Sequence, residues 1–219
     1  MRKGNIEFYK NENGRIPVEE FMDKLPIKHR EKAVRSLMLL EEFGEFLGEP
    51  HVKYMGNDIF ELRIRFAKDI SRIFYFFWSE GKIVLTNGFV KKSQKTPAKE
   101  LNKARKYKKD YEKTAMGLLS YLPDFKNIEN LKEEISLNQE DNDFVLFLYR
   151  NKQNNVVGVL GTQMTDKFII IRYLSLAPGF REISYEKDIF AELKNEYPNK
   201  RITAVPEYTD LLKAVEADG

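Results

Sequence analysis

Arg63, Arg65, Arg72, Lys91 and Lys92 are five cations spaced so that strand pairing would gather them. In Glu61-Leu62-Arg63-Ile64-Arg65 charge alternates with apolar bulk, which puts Glu61, Arg63 and Arg65 on one face of a strand. Arg72 opens an aromatic run that ends at Trp78, and Lys91 and Lys92 close the segment after it. A hairpin sets the start of one strand beside the end of the next, so Arg72 is expected near both lysines. Like charges brought together are destabilising. Their gathering therefore points to an anion held on the sheet, and metal-free RNA cleavage is chemistry that such a face could perform. Attack of a 2′-hydroxyl on the adjacent phosphate builds negative charge that fixed cations stabilise. The nucleophile belongs to the RNA. Proton transfer falls to Glu61 or to a lysine whose pKa is lowered by its neighbours. Lys95, Lys106 and Lys109 are further candidates for RNA contact. The bland readings stand beside these: Arg63 and Arg65 as a solvated strand face, Arg72 as the flank of a core strand, and Lys103–Lys113 as a solvated helix face that also touches RNA phosphates.

The rest of the composition narrows the chemistry. There is no cysteine, hence no disulfide, thiolate metal site or cysteine nucleophile. His29 and His51 are the only histidines; both are expected to be ordinary surface residues, and no metal site is expected. No apolar run approaches the roughly 20 residues of a membrane span. The first residues lack the apolar stretch of a secretory signal, so a cytoplasmic protein is expected. Charge is unevenly shared. Residues 1–113 hold 25 Lys and Arg against 17 Asp and Glu, a net of +8; residues 114–219 hold 12 against 17, a net of −5. A basic front half suits a polyanion such as RNA, and the acidic back half suggests a second module that does not share it.

The elements that must position these residues follow from periodicity. A strand is expected over 4–10, a helix from Pro17 to Leu25, and a second helix over 28–43 closed by Gly44. Three strands follow, over 59–65, 72–78 and 83–90, with a turn at Ser79–Lys82. Phe74, Phe76 and Trp78 read as core. A basic helix runs from Pro97 through Tyr111. The back half repeats none of this. It reads as a helix over 131–136, strands over 144–149, 156–162 and 168–176, a helix over 185–197, a short strand over 201–205 and a last helix over 210–216.

The stretch from Phe60 to Pro97, with Glu-Leu-Arg, then Arg-Ile-Phe-Tyr-Phe-Phe, then Gly-Phe-Val-Lys-Lys-Ser-Gln-Lys-Thr-Pro, resembles the phage-derived HigB branch of the RelE/ParE toxin superfamily. The resemblance extends over residues 1 to about 113. It implies a ribosome-dependent mRNA endonuclease silenced by a helix-turn-helix antitoxin. It implies Arg72 as the ligand of the scissile phosphate, Lys91 and Lys92 as the basic pair of the next strand, and Arg63 and Arg65 as flanking cations. Some members of that superfamily poison gyrase instead.

Residues 106–216 resemble a second family. Tyr107-Lys108-Lys109, then Ala115-Met116-Gly117-Leu118-Leu119-Ser120-Tyr121-Leu122-Pro123, and later Arg172-Tyr173-Leu174-Ser175-Leu176-Ala177-Pro178-Gly179-Phe180-Arg181, look like RibT, a GNAT-fold acetyltransferase-like protein. That resemblance implies a GNAT-like fold with a place for acetyl-CoA. Enzymes of the GNAT family cradle the cofactor's pyrophosphate with a glycine-rich loop at a helix N-terminus. Here the chain reads Glu182-Ile183-Ser184-Tyr185-Glu186-Lys187, with two carboxylates and neither glycine. The cofactor loop looks broken, and Arg181 alone stands as a cofactor-binding candidate. The expected fold is thus α+β throughout: residues 1–113 as a helical hairpin on a small antiparallel sheet, then residues 114–219 as a GNAT-like domain. The leading function is the mRNA endonuclease, with no cofactor. The alternatives are an acetyltransferase whose basic front domain recruits substrate, and a non-catalytic binding protein.

Overall fold

A computed structural model describes residues 4–92, 95–141, 143–153 and 155–216. The chain forms two compact units, Met1–Tyr111 and Glu112–Gly219. In the first, β1 (Asn5–Phe8) leads to α1 (Pro17–Asp23) and α2 (Ile27–Phe43), then to β2 (Val52–Tyr54), β3 (Phe60–Phe66), β4 (Asp69–Trp78) and β5 (Lys82–Val90). Pro17, fixed in φ and lacking an N–H, starts α1 at the position where no donor is needed. Gly44 ends α2 in a left-handed conformation, φ 53°. β3, β4 and β5 form the expected meander, and the sheet runs β1-β5-β4-β3-β2.

That sheet is mixed, not antiparallel. β1 lies parallel to β5, Asn5 opposite Lys82 and Phe8 opposite Leu85. Parallel neighbours need a long crossover, which the two helices and the first strands of the meander supply. Strand β2, opposite β3, was not expected from the sequence.

The two faces of the sheet differ. Leu62 and Ile64 of β3, Ile73 and Tyr75 of β4, and Leu85 of β5 pack with Val18 of α1 and Ala33, Leu37 and Leu40 of α2 in one core. His29 belongs to that inward side of α2: it is 1% exposed, and its ring lies against Phe66 at 5.7 Å, which corrects the surface reading. It falls four residues before Ala33, on the same helical face. The opposite sheet face carries Glu61, Arg63 and Arg65 from β3 and Arg72, Phe74, Phe76 and Trp78 from β4. Helix α3 (Ala98–Leu119) covers part of it, with Tyr111 edge-on to Phe76 and Trp78 at 5.5 and 5.0 Å. Phe74, Phe76 and Trp78 are buried, as core residues should be.

The second unit takes up the chain within α3, so the expected boundary at residue 113 falls inside a helix. There follow α4 (Ile128–Glu140), β6 (Phe144–Arg150), β7 (Val156–Met164), β8 (Phe168–Leu176), α5 (Ile183–Glu196), β9 (Arg201–Ala204) and α6 (Thr209–Glu216). The sheet runs β6-β7-β8-β9, antiparallel except that β9 lies parallel to β8 after the α5 crossover. Its core joins Val145, Leu160, Ile169 and Ile171 to Ile189, Phe190 and Leu193 of α5.

Candidate functional site

The register of β3 on β4 sets Arg63 opposite Arg72 and Glu61 opposite Phe74. Two guanidinium groups thus face each other across the ladder, an arrangement that needs a counter-charge. Glu61 provides it. Its Oε1 accepts from Arg72 Nε at 2.9 Å and lies 3.6 Å from Arg63 Nε. Its Oε2 accepts from the Thr96 hydroxyl at 2.9 Å. Both carboxylate oxygens are therefore engaged. Glu61 and Arg72 are 2% and 4% exposed, so this is a buried ion pair. Arg72 also donates from Nη1 to the Ser71 carbonyl at 2.8 Å. Burial pushes the Arg72 guanidinium below its ordinary pKa, Glu61 draws it back, and Arg63 and Arg65 lower it further.

The other cations lie around this pair. Arg72 stands opposite Phe89, and the Lys91 N–H donates to the Ile70 carbonyl at 2.7 Å, so Lys91 follows Phe89 on the same face. Arg63 is 22% exposed, and its Nη1 lies 3.6 Å from Glu49. Its buried Nε has no hydrogen-bond partner among the described residues. Arg65, Lys92 and Lys95 are exposed and Lys91 is half-buried. The structure thus brings Glu61, Arg63, Arg65, Arg72 and Lys91 to one face. Lys106 and Lys109 are exposed on α3, on the side away from the buried Ala104 and Tyr111. Among the described residues no group of three His, Cys, Asp or Glu could hold a metal ion. None of the helices described there is long and apolar enough to cross a membrane. Thr96 had no assigned role in the sequence reading; its only signal was its place in Lys-Thr-Pro, after the lysines.

In the second unit, Arg181 donates from Nε to the Leu176 carbonyl at 2.9 Å and its guanidinium lies 5.1 Å over the Tyr121 ring. It borders a pocket of about 250 Å³ shared with Leu122, Ser175 and Glu186. Burial raises the Glu186 carboxyl above its ordinary pKa. Glu182 precedes α5, and its carbonyl already accepts the Tyr185 N–H at 3.0 Å. A diphosphate here would meet the Glu186 carboxylate, with Glu182 close by in sequence, and one guanidinium whose Nε is already donated to Leu176. These residues do not fit the pyrophosphate of acetyl-CoA.

A second ion pair, with a buried carboxylate and a half-buried guanidinium, lies elsewhere in this unit and was missed by the sequence reading. Glu134 of α4 accepts from Arg172 at 2.7 and 3.2 Å, from the Tyr173 hydroxyl at 2.6 Å and from Asn138 at 2.8 Å. Burial alone would raise its pKa, but these donors outweigh it and hold the carboxyl below its ordinary value. No sequence motif marks it, because its partners come from α4 and β8.

Comparison with known proteins bears on both units. A family model described as "Phage derived protein Gp49-like" matches residues 20–109. An uncharacterized N-acetyltransferase from the lysA 3′ region of Bacillus methanolicus is 30% identical over 98 residues, which are 44% of this chain and 81% of that protein. A solved Bacteroides thetaiotaomicron protein assigned to the GNAT acetyltransferase family aligns with 52% of this chain and 65% of its own length, at 17% identity. Its TM-score of 0.38 is too low to argue from. On these matches the chain belongs to the family of the Bacillus methanolicus N-acetyltransferase and carries a Gp49-like domain over residues 20–109.

Proposed function

We propose that the first unit is the toxin of a toxin–antitoxin pair, a metal-free endoribonuclease of the HigB/RelE kind acting on mRNA at the ribosome. The observation that carries this reading is the clustering of Arg63, Arg65 and Lys91 on one sheet face around the Glu61–Arg72 pair, with Lys92 beside them, in a Gp49-like domain. Arg65, Lys91 and Lys92 are the cations placed to meet a phosphate. Arg72, buried beneath them, adds positive potential and is held in place by Glu61. In the reaction the RNA 2′-hydroxyl gives its proton to solvent water, its oxygen attacks the neighbouring phosphorus, and the bond to the 5′-oxygen breaks. That leaves a 2′,3′-cyclic phosphate and a 5′-hydroxyl. The growing charge on the phosphoryl oxygens meets fixed ammonium and guanidinium groups. Because both Glu61 oxygens are engaged, Lys91 or Lys92 is the better source of the proton taken by the leaving oxygen. Lys95, Lys106 and Lys109 add contacts to RNA phosphates. A helix-turn-helix antitoxin and a cytoplasmic location complete the reading.

The test is induction of the chain in bacteria with mapping of mRNA 5′ ends. Wild type should arrest growth and create new ends. Lys92→Ala should reduce cleavage by about 10²-fold, the scale set by one lost oxyanion donor. Growth without new ends, in cells holding soluble and folded protein, would reject the reading. A second reading, acetyl transfer by the second unit, rests on the name of the Bacillus methanolicus relative.

A further inference from the structure

We propose that the outer face of α2 is the surface through which two copies of this chain associate, their α2 helices packed antiparallel about a two-fold axis beside Val34. The inference is independent of the endoribonuclease reading.

The outer side of α2 is not purely polar. The helix turns His29, Ala33, Leu37 and Leu40 inward, yet Ile27, Val34 and Met38 are 77%, 43% and 61% exposed. Separated by seven and then four residues, these three form one stripe along the helix. Ile27, Arg30, Glu31, Val34 and Arg35 line a groove of about 320 Å³ on it. The first four of them have the spacing of a hole that takes a knob from a facing helix.

The charges along α2 identify the occupant. Residues 27–35 hold Lys28, Arg30, Lys32 and Arg35 against Glu31 alone; residues 36–46 hold Glu41, Glu42 and Glu45 and no cation. A helix dipole favours the reverse, anions at the N-terminus and cations at the C-terminus. α2 has no acidic residue in its first turn and no basic one in its last. Arg30 lies 3.6 Å from Asp23 and Arg35 3.9 Å from Glu31, but these local pairs leave the end-to-end polarity in place. An antiparallel helix of the same polarity offsets it at both ends, in side chains and dipole alike. A second copy supplies that helix, and the two-fold axis makes every contact twice. With the axis beside Val34, Met38 of the second copy enters the groove at Glu31. Lys28 then faces Glu41 and Glu42 of the second copy, and Lys24 faces its Glu45. α2 packs on the sheet face opposite the Glu61–Arg72 pair, so this association leaves the basic face uncovered. One helix face is smaller than the roughly 800 Å² per partner of a standard interface. The dimer is therefore weak, with Kd on the order of 10 µM.

The experiment is sedimentation equilibrium of the purified full chain, from about tenfold below that Kd to about tenfold above it. Wild type should dimerise across this range. Met38→Glu, which sets a carboxylate in the groove beside Glu31, should stay monomeric. Lys28→Glu should raise Kd about tenfold, because like charges then meet at both symmetry-related places. Adding Glu42→Lys to the same chain should restore association. Lys28 and Glu42 are fourteen residues apart on α2, about 21 Å, too far to compensate within one molecule. Circular dichroism checks the fold. At a dilution where wild type is monomeric, Lys28→Glu should melt no lower than wild type, since it places an anion where the dipole favours one. Should Met38→Glu not fold, the Lys28 and Glu42 variants carry the test. A wild type that remains monomeric throughout overturns the proposal, as does a dimer indifferent to Met38→Glu and Lys28→Glu. Failure of Glu42→Lys to rescue Lys28→Glu overturns the antiparallel pairing.

Discussion

At the scale of residues, each unit holds a buried carboxylate against a guanidinium, and each pair has a consequence. Glu61 is bonded by Arg72 through one oxygen and by Thr96 through the other; removing it leaves a buried guanidinium without its counter-ion. Glu61→Ala should destabilise the first unit by about 3–5 kcal/mol, the range for breaking one side of a buried pair, read from urea unfolding. A variant as stable as wild type would show the pair to be dispensable. Glu134 gives a pH dependence. Its carboxyl titrates below the ordinary 4.5 in the folded state. The stabilisation it gives is therefore complete above that ordinary value and is lost as pH falls through the depressed one. Acid unfolding of the second unit should set in below about pH 4.5 and be reduced in Glu134→Gln, followed by circular dichroism. An acid transition identical in the two proteins would exclude Glu134 as its cause.

At the scale of elements, two glycines show where a strand is specified by what lies over it. Gly88 stands in β5 under Phe21 of α1, and a Cβ there would come within 2.1 Å of the ring. Gly161 stands in β7 under Tyr173, at 2.0 Å, in a stretch where the β7–β8 register shifts. The Tyr173 ring must lie there to bring its hydroxyl to Glu134. Gly161→Ala should therefore cost about 1–3 kcal/mol, the range for forced overpacking, and weaken the Glu134 cluster with it. A melting temperature equal to wild type would mean that Tyr173 can move aside freely. The alternation of β3 was readable because a strand has a period of two, so Glu61, Arg63 and Arg65 had to share a face. The parallel seat of β1 was not, since its partner β5 lies more than seventy residues on and no local pattern encodes that register.

At the scale of the whole molecule, the charge asymmetry between the halves meets two units with different prospects. The basic unit offers an anion a face of cations, whereas the acidic unit offers a diphosphate the Glu186 carboxylate beside Arg181, with Glu182 preceding α5. Calorimetric titration of the full chain with acetyl-CoA should give no heat of binding at millimolar ligand. A measurable affinity would restore the acetyl-transfer reading and require another cradle than the loop after β8. The sequence by itself determined the order of elements, the apolar faces, the shared face of the basic residues and the absence of glycine from Arg181 to Lys187. All of these follow from periodicity or residue type within a short window. Only the tertiary structure decided that Arg72 is buried, that Glu61 is its counter-ion, that Thr96 bonds the same carboxylate and that His29 faces the core. Those four depend on which distant segments meet, and a buried charge is tolerated only where its partners arrive from elsewhere in the chain.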